Sequence, residues 1–297
     1  MRLAAVVVNY RTPDETLRAL ASLRQSARPL DDVLVVDNGS GDGSVDRLRA
    51  FAPGATVLAS VTNRGFSGGS NLGIREALAR GADLVLLVNS DAVLPPDCAA
   101  RLESVLTAWP GAGIAAPVLV SREDPDHVLE AGIRFSPATG RMRLVACGTP
   151  QRPRATAEVN AVSGCVMLIT REVLERVGLL DEAYFFSFED LDFCLRARRA
   201  GFVCLCVGDA VALHDGSGTI GRRAAARLYF GTRNHLRAAA LGAPAGPLHR
   251  HLRAAVIVGL NLLHALFTAE APRAAGVRAV MRGAWHHARG RYGPGPA

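Results

Sequence analysis

Two kinds of carboxylate in this sequence are placed to do chemistry. Asp37 and Asp91 follow the apolar runs 33–36 and 84–88 and so stand at the ends of predicted strands. In an open α/β sheet, ligands bind beyond the carboxyl ends of the strands. A carboxylate there is a hard oxygen ligand, suited to Mg2+ or Mn2+ bridging two phosphates. His214, which ends another apolar run, is a candidate further ligand. The second kind is a cluster, Asp181-Glu182 and then Glu189-Asp190-Leu191-Asp192, with Tyr184, Phe185, Phe186 and Phe188 between. A carboxylate against such an apolar wall can be kept basic enough to take a hydroxyl proton.

Each of these residues also has a plain structural reading. Asp91 can be an N-cap or turn residue ahead of Pro95. Glu189, Asp190 and Asp192 occupy a predicted helix N-terminus, where the dipole stabilises carboxylates whatever their function. A lone histidine at a strand end, here before Asp215-Gly216-Ser217-Gly218, can be structural.

A nucleotide has further candidate partners. Asp37 can accept from a base imide or a ribose hydroxyl, and Asn63-Arg64-Gly65 can approach a diphosphate through backbone amides and guanidinium. The run Asn63-Arg64-Gly65-Phe66-Ser67-Gly68-Gly69-Ser70-Asn71 precedes a predicted helix, whose amides and dipole suit an anion. A plain glycine-rich loop is the other reading. The run does not fit GxGxxG and follows the third predicted strand, which counts against a nicotinamide dehydrogenase. No GxxxxGK[ST] occurs, which excludes a Walker-type nucleotide hydrolase.

The elements that must position these residues alternate in a βα rhythm. Predicted strands at 3–8, 33–36, 56–59 and 84–88 are continuous apolar runs, and predicted helices fill 14–25, 45–51, the segment from the glycine loop 63–69 to residue 80, and 97–108. Strands buried on both faces with helices between them argue for an α/β fold with a mostly parallel sheet. Residues 118–160 are irregular, with strand-like pieces near 128–135 and 142–147. Beyond them, 162–169, 202–207 and 210–214 read as strands, and 171–177 and 189–200 as helices. The expected organisation is a catalytic domain over 1–221, made of halves 1–117 and 118–221, followed by a basic helical extension over 222–297.

Charge sharpens that division. All 34 basic residues are Arg, and the net charge is +7. Residues 1–221 carry 22 Arg against 26 acidic residues, whereas 222–297 carry 12 Arg against the single acid Glu270. Such a tail suits an anionic lipid surface or an anionic acceptor. No zinc-finger spacing, helix-turn-helix signal or stacking aromatics accompany the arginines, so nucleic acid is not expected as a partner. The six cysteines form no CxxC pair and read as buried thiols in a reducing cytoplasm. No signal peptide is read at the N-terminus. The longest apolar run, 254–267, is interrupted by Asn261 and His264 and is short for a membrane span. A cytoplasmic protein, able to sit peripherally on the inner face of the cell membrane, is expected.

Taken in order, the motifs converge. Val6-Val7-Val8-Asn9-Tyr10, Val36-Asp37-Asn38-Gly39-Ser40, Asn63-Arg64-Gly65-Phe66, Asn71-Leu72-Gly73, Asn89-Ser90-Asp91, Ser163-Gly164, Phe185 with Glu189-Asp190-Leu191-Asp192, and His214 resemble family 2 glycosyltransferases. The likeness is strongest to the bacterial rhamnosyltransferase-like branch, and Tyr229, Arg233 and Asn234 extend it. The resemblance implies a GT-A fold, a nucleoside-diphosphate-sugar donor and a carbohydrate or lipid-linked acceptor. It implies that Asn9, Tyr10, Asp37, Asn63, Arg64, Gly65, Asn71, Asn89 and Ser90 serve the donor, with Asp37 on the base. Asp91, the last position of a reduced DxD motif that begins with Asn89, would hold a divalent cation together with His214. Asp190 would be the catalytic base, and Ser163, Gly164, Glu189 and Asp192 would lie on the acceptor side. The QxxRW motif of processive synthases is absent, so one sugar per encounter is expected. Two other classes compete: a GT-A-like protein that binds a nucleotide sugar without turnover, and a nucleotidyltransferase. Intact Asp91, Asp190 and His214 weigh against the first. The stretch Asn9-Tyr10-Arg11-Thr12-Pro13, where a glycine-rich basic loop would be needed, weighs against the second.

Overall fold

The computed structural model describes residues 1–149, 151–214, 224–242, 246–267 and 271–295. A ten-stranded sheet forms its centre. β1 (Leu3–Asn9), β2 (Asp32–Asp37), β3 (Thr56–Ala59) and β4 (Leu84–Asn89) make the parallel part, in the order β3-β2-β1-β4. The chain moves outward from β1 to β3 and then returns to the far side of β1, so a topological switch point lies between β1 and β4.

Past β4 the sheet is mixed. β11 (Val166–Thr170) runs antiparallel between β4 and β6 (Ala112–Ser121). β12 (Val203–His214) lies parallel to β6, with β10 (Ala157–Val159) antiparallel on its outer side. β5 (Ala92–Val93) pairs with the end of β12, and β7 (Val128–Glu130) with β6. β8 (Ile133–Phe135) and β9 (Met142–Leu144) form a separate antiparallel pair.

Strand periodicity divides the core in two. Ala4, Val6, Val85 and Leu87 face α3 (Gly65–Ala79), α5 (Arg171–Val177) and α6 (Glu189–Arg199). Leu3, Ala5, Val7, Leu84, Leu86 and Val88 face α1 (Pro13–Arg24), α2 (Ser44–Phe51) and α4 (Cys98–Ala108). Each of the valines and leucines among them contributes about 1.5–3 kcal/mol on burial, so the central strands anchor the fold.

Register then places the chemistry. Asn9 pairs with Asp37 and Val8 with Asn89, which aligns three strand ends in one row. Val166 pairs with Val88, so the turn before β11 sits beside Asn89. His214 pairs with Ala92, next in sequence to Asp91.

Several boundaries differ from the sequence expectation. The glycine-rich loop expected at 63–69 is helical from Gly65 onward. Its glycines serve close packing: a Cβ at Gly69 would lie 2.9 Å from Val8 Cγ1, and one at Gly73 would lie 2.3 Å from Val6 Cγ1. The strand expected at 162–169 begins only at Val166. The strands expected at 202–207 and 210–214 are one strand, irregular between Val207 and Val211. The piece at 128–135 is broken into β7 and β8, with Gly132 at φ +95° between them.

The C-terminal part is helical: α7 (Ala224–Gly242), α8 (Pro247–Phe267) and α9 (Arg273–Ala288). Leu228, Ala265, Ala271 and Val280 form a small core among the three. The expected division at 221 and the segment Asp215-Gly216-Ser217-Gly218 lie outside the described residues.

The contact at Gly73 yields a test. Alanine normally stabilises a helix relative to glycine, but here the added methyl would drive into Val6. Gly73→Ala is expected to lower stability by about 1–3 kcal/mol, the usual cost of overpacking. Gly231→Ala in α7, where a Cβ meets nothing within 4 Å, is the control and should not destabilise. Urea unfolding midpoints compare the two.

Candidate active site

The row of strand ends is a hydrogen-bonded network. Asn9 Nδ2 donates to Asp37 Oδ2 at 2.7 Å, and the Thr16 hydroxyl donates to Asn9 Oδ1 at 2.8 Å. Asp37 Oδ2 also accepts from the Ser40 hydroxyl at 2.6 Å, and its Oδ1 from the Ser40 amide at 3.1 Å. Asp37 is only 1% exposed, so its carboxylate orders the 38–40 turn. Tyr10 stands partly exposed beside that turn, with the Arg11 guanidinium 5.2 Å from its ring centroid.

Asn38, absent from the candidate residues of the sequence, carries this order to the next segment. Its Nδ2 donates to Asn63 Oδ1 at 3.1 Å and to the Gly65 carbonyl at 2.9 Å, and its Oδ1 accepts from the Arg64 amide. Asn63 Oδ1 also accepts the Gly65 amide at 2.8 Å, and the Phe66 amide donates to the Phe185 carbonyl at 2.7 Å. The first amides of α3 are therefore engaged within the protein. Arg64 is paired with Glu182 at 2.9 Å on a half-exposed surface. Asn71 is buried: it donates to the Leu180 carbonyl and accepts from the Leu180 amide, tying α3 to the 180–182 segment. Arg64 and the turn at 10–11 thus stand at the surface by the strand ends, whereas Asn71 faces inward.

Across the switch point, the Thr12 hydroxyl donates to Ser90 Oγ at 3.3 Å. Asn89 is fixed by its amide to the Cys165 carbonyl at 2.8 Å. Asp91 Oδ1 lies 3.1 Å from His214 Nε2, so the two strand-end candidates do meet. Burial opposes ionisation of Asp91, yet the hydrogen bond and charge of His214 hold its carboxyl below the usual range.

Asp190 stands in the first turn of α6. Its Oδ2 accepts from the Gly164 amide at 3.1 Å and its Oδ1 from the Leu191 amide at 2.7 Å. Burial raises its carboxyl above the ordinary value, and these two amides limit the rise. Glu189 is buried with Oε2 unpartnered among the described residues; burial and then Asp190 push it up to about 8. Asp192 instead pairs with Arg196 at 2.8 Å within the helix.

Glu130 is a site carboxylate that the sequence reading did not single out. Burial first, and then Asp190, push it up to about 8, and its Oε1 accepts the Ser163 amide at 3.1 Å. It sits in the short strand β7, inside the irregular stretch where no periodic pattern marks it. Cys165 shows how close the pieces lie. Burial, followed by the charges of Asp91, Glu130 and Asp190, raises its thiol, so three carboxylates surround one turn.

The loop ahead of α6 is conformationally unusual. Phe185, Ser187 and Phe188 have φ of 61°, 70° and 72°, a left-handed region that non-glycine residues rarely adopt. Asn234 of α7 donates through Nδ2 to the Tyr184, Phe186 and Ser187 carbonyls at 2.7–2.9 Å. The buried Arg233 donates to the Tyr184 and Gly293 carbonyls at 3.0 and 2.9 Å.

A divalent cation fits the Asp91–His214 pair as part of its donor set. One carboxylate oxygen and one imidazole nitrogen would supply part of the donor set of a cation such as Mn2+. No group of three or more His, Cys, Asp or Glu able to hold a metal forms among the described residues. Among the described residues the pair is therefore a partial site.

Comparison with known proteins shows the family. The model of the family described as "Glycosyltransferase like family 2" matches residues 1–238. The N-acetylglucosaminyl-diphospho-decaprenol L-rhamnosyltransferase of Mycobacterium tuberculosis is 29% identical over 248 residues, covering 76% of this chain and 80% of that protein. Galactofuranosyltransferase GlfT1 of the same species is 31% identical over 217 residues, 71% of this chain and 69% of that one. Among solved structures, the mannosyltransferase PcManGT of Pyrobaculum calidifontis, in complex with GDP-Man and Mn2+, superposes with a TM-score of 0.60. It is 19% identical, and the match covers 97% of this chain and 87% of that one.

Two outcomes test the geometry. Glu130 ionises near 4.5 in an unfolded chain but at about 8 here, so between those values the folded chain holds a proton the unfolded chain has released. Its contribution to stability is full below the lower value and declines as pH rises toward the upper one. Unfolding measured across that window should show Glu130→Gln losing less stability than the parent chain. Asn234→Ala leaves the Phe186 and Ser187 carbonyls without this donor, while the Tyr184 carbonyl keeps the one from Arg233. It should cost about 1–3 kcal/mol and accelerate amide hydrogen exchange over 184–188; unchanged exchange there would show that the loop holds itself.

Proposed function

Since the chain belongs to the family 2 glycosyltransferases and its fold is GT-A, we propose that it moves one sugar, with inversion, from a nucleoside-diphosphate-sugar to an acceptor hydroxyl. The observation that carries this reading is the gathering of Asp91, His214 and Asp190 about the 163–165 turn. One end of that arrangement suits a metal-bound diphosphate and the other suits a proton acceptor.

Asp190 is the proposed base. Burial keeps its carboxylate more basic than an exposed one, while the Gly164 and Leu191 amides fix its direction. It would take the proton of the acceptor hydroxyl as that oxygen attacks the anomeric carbon from the face opposite the leaving diphosphate. A single displacement of this kind inverts the centre and needs no covalent intermediate. Glu130 and Glu189, raised to about 8 by burial, remain protonated near neutrality and add no charge to repel an incoming anionic donor.

Asp91 and His214 would hold Mg2+ or Mn2+. When bound, the cation supplies charge neutralisation on the leaving diphosphate. Asn89 orders the start of this segment through its bond to Cys165, and Ser90 is tied to Thr12. Arg64, at the surface by the strand ends, is the cationic side chain proposed to meet the diphosphate, exchanging its bond to Glu182 for one to the donor. Asn9, Tyr10, Asp37, Asn63 and Gly65 belong to the scaffold of the donor side. Ser163 and Gly164 would border the acceptor.

The donor is proposed to be of the dTDP-rhamnose or UDP-sugar type. One relative is a dTDP-rhamnosyl transferase, RfbF of Shigella flexneri, 25% identical over 210 residues. The mycobacterial rhamnosyltransferase is named for an acceptor linked to decaprenol. A role in bacterial cell-surface polysaccharide or glycolipid assembly, at the inner face of the cell membrane, follows from the same reading.

Thermal-shift titration with UDP-, dTDP- and GDP-sugars, with and without Mn2+, tests the donor and the metal together. A stabilisation by one donor class that needs Mn2+ is expected, and Asp91→Ala should remove the Mn2+-dependent part while staying folded. Asp190→Asn keeps the shape and removes the base, so it should bind donor normally and lose about 10²–10⁴ in turnover. Near-normal turnover by that variant would overturn the assignment of the base.

A further inference from the structure

α8 carries two faces of different character. One is committed to the protein: Arg253, Ile257 and Ala265 are buried. The Arg253 Nη1 donates to the Pro137 carbonyl at 3.0 Å, and the His249 ring lies 2.6 Å from the Ala138 carbonyl. Gly140, at φ +71°, lets that turn approach Ile257, because a Cβ there would lie 3.0 Å from Ile257 Cδ1.

The other face is apolar and open. Leu248, Leu252, Val256, Leu260, Leu263 and Phe267 are 41–75% exposed. At helical spacing, i, i+4, i+8, i+12, i+15 and i+19 fall within one-third of the circumference and so form one stripe along the whole helix. The stripe begins a turn and a half before the apolar run that the sequence showed at 254–267. Single exposed leucines are ordinary on a protein surface, but a continuous row of six marks a docking face.

Charge says what covers it. The extension carries 12 Arg against one acidic residue. Arg250 on α8, Arg278 and Arg282 on the adjoining α9, and Arg289 just past its end are exposed. Met281 and Trp285 on α9 are exposed as well, and Arg289 and Arg291 lie over the Trp285 ring at 5.3 and 5.1 Å. A second copy would bring the same excess of arginine against itself. An anionic lipid surface satisfies both properties, with apolar side chains entering the acyl boundary and arginines meeting the headgroups. Among the described residues no helix is long and apolar enough to cross a membrane. The arrangement fits a helix lying in the interface plane.

We propose that the exposed stripe of α8 is a membrane-docking face, selective for anionic bilayers. The idea rests on the glycosyl-transfer reading in one respect: a lipid-linked acceptor would be met at that surface. The docking itself stands on the stripe and its charge.

Flotation of the full chain on vesicles of phosphatidylcholine alone, and of phosphatidylcholine mixed with phosphatidylglycerol, tests it without any donor. The protein should float with the mixed vesicles and remain below with the neutral ones. The double variant Leu252→Glu and Leu263→Glu, altered only at exposed positions, should lose roughly tenfold in the floated fraction. It should keep its unfolding midpoint and its Mn2+-dependent donor stabilisation. Arg278→Glu with Arg282→Glu should shift binding to lower salt. Equal flotation of parent and double variant, or no flotation of the parent, would overturn the proposal. So would a parent dimer that the double variant converts to monomer, since the stripe would then join two copies. Failure of donor binding or turnover in the parent would count against the transferase reading and leave flotation as it was measured.

Discussion

The site depends on holding a backbone that does not favour its own conformation. Phe185, Ser187 and Phe188 sit in the left-handed region, where each non-glycine residue costs on the order of 1 kcal/mol or more. Asn234 and Arg233 offset that cost by accepting responsibility for the loop's carbonyls. Two consequences follow from the held shape. Phe188 turns the chain into α6, so that Asp190 meets the Gly164 amide. Phe185 presents its carbonyl to the Phe66 amide and lies so close to Gly65 that a Cβ there would be 2.1 Å from it. One loop therefore locks both the proposed base and the start of α3. The side chains that lock it come from α7, which ties this helix to the sheet as part of one working unit.

Electrostatics then separates carboxylates that composition alone makes alike. Glu130, Glu189 and Asp190 lie near one another with little water, so they cannot all be charged together at low cost. Asp190 receives two backbone amides, whereas Glu130 receives one and Glu189 has an oxygen with none. The hydrogen bonds favour ionisation of Asp190 over the other two, in the way that paired acids elsewhere divide their roles by environment. Asp91 is set apart by a different device, the adjacent imidazole of His214. The donor side is quieter. Asp37 and Asn9 spend their polar atoms on each other and on Ser40, which makes them the frame of the donor side.

Much of this was legible in the sequence because strand ends are. An apolar run closing on Asp37 or Asn89-Ser90-Asp91 announces both the strand and the edge of the cleft, and the structure aligns those ends in register. Asp91 and His214, 123 positions apart in the numbering, meet because each ends or follows a strand on the same side of the sheet. What was not legible has a common cause. Glu130 sits on a three-residue strand with no period to read, and its importance comes from burial against Asp190, a tertiary fact. The glycines of 65–73 look like a loop because a helix with that composition is intrinsically poor. It forms because β1 comes too close for any larger side chain at Gly69 and Gly73. Asn38 and Asn234 stand in motifs that the sequence showed, but what they hold was not legible there, because their partners are backbone groups and the Asn63 side chain.

The arrangement of the C-terminal helices gives the site a mechanical neighbour. The family match ends at residue 238, within α7, while α8 and α9 lie beyond it. α7 is attached through Arg233 and Asn234 to the loop that precedes Asp190, through His235 to the Gly140 carbonyl, and through Leu228 to the small core shared with α8 and α9. Arg237 adds an ion pair with Asp181 at 2.6 Å, beside the Glu182 that engages Arg64. α8 also meets the rest of the chain directly, through His249 and Arg253 on the Ala138 and Pro137 carbonyls. The added helices are in this sense joined to the chemistry by packing, even though no residue of α8 or α9 belongs to the proposed site.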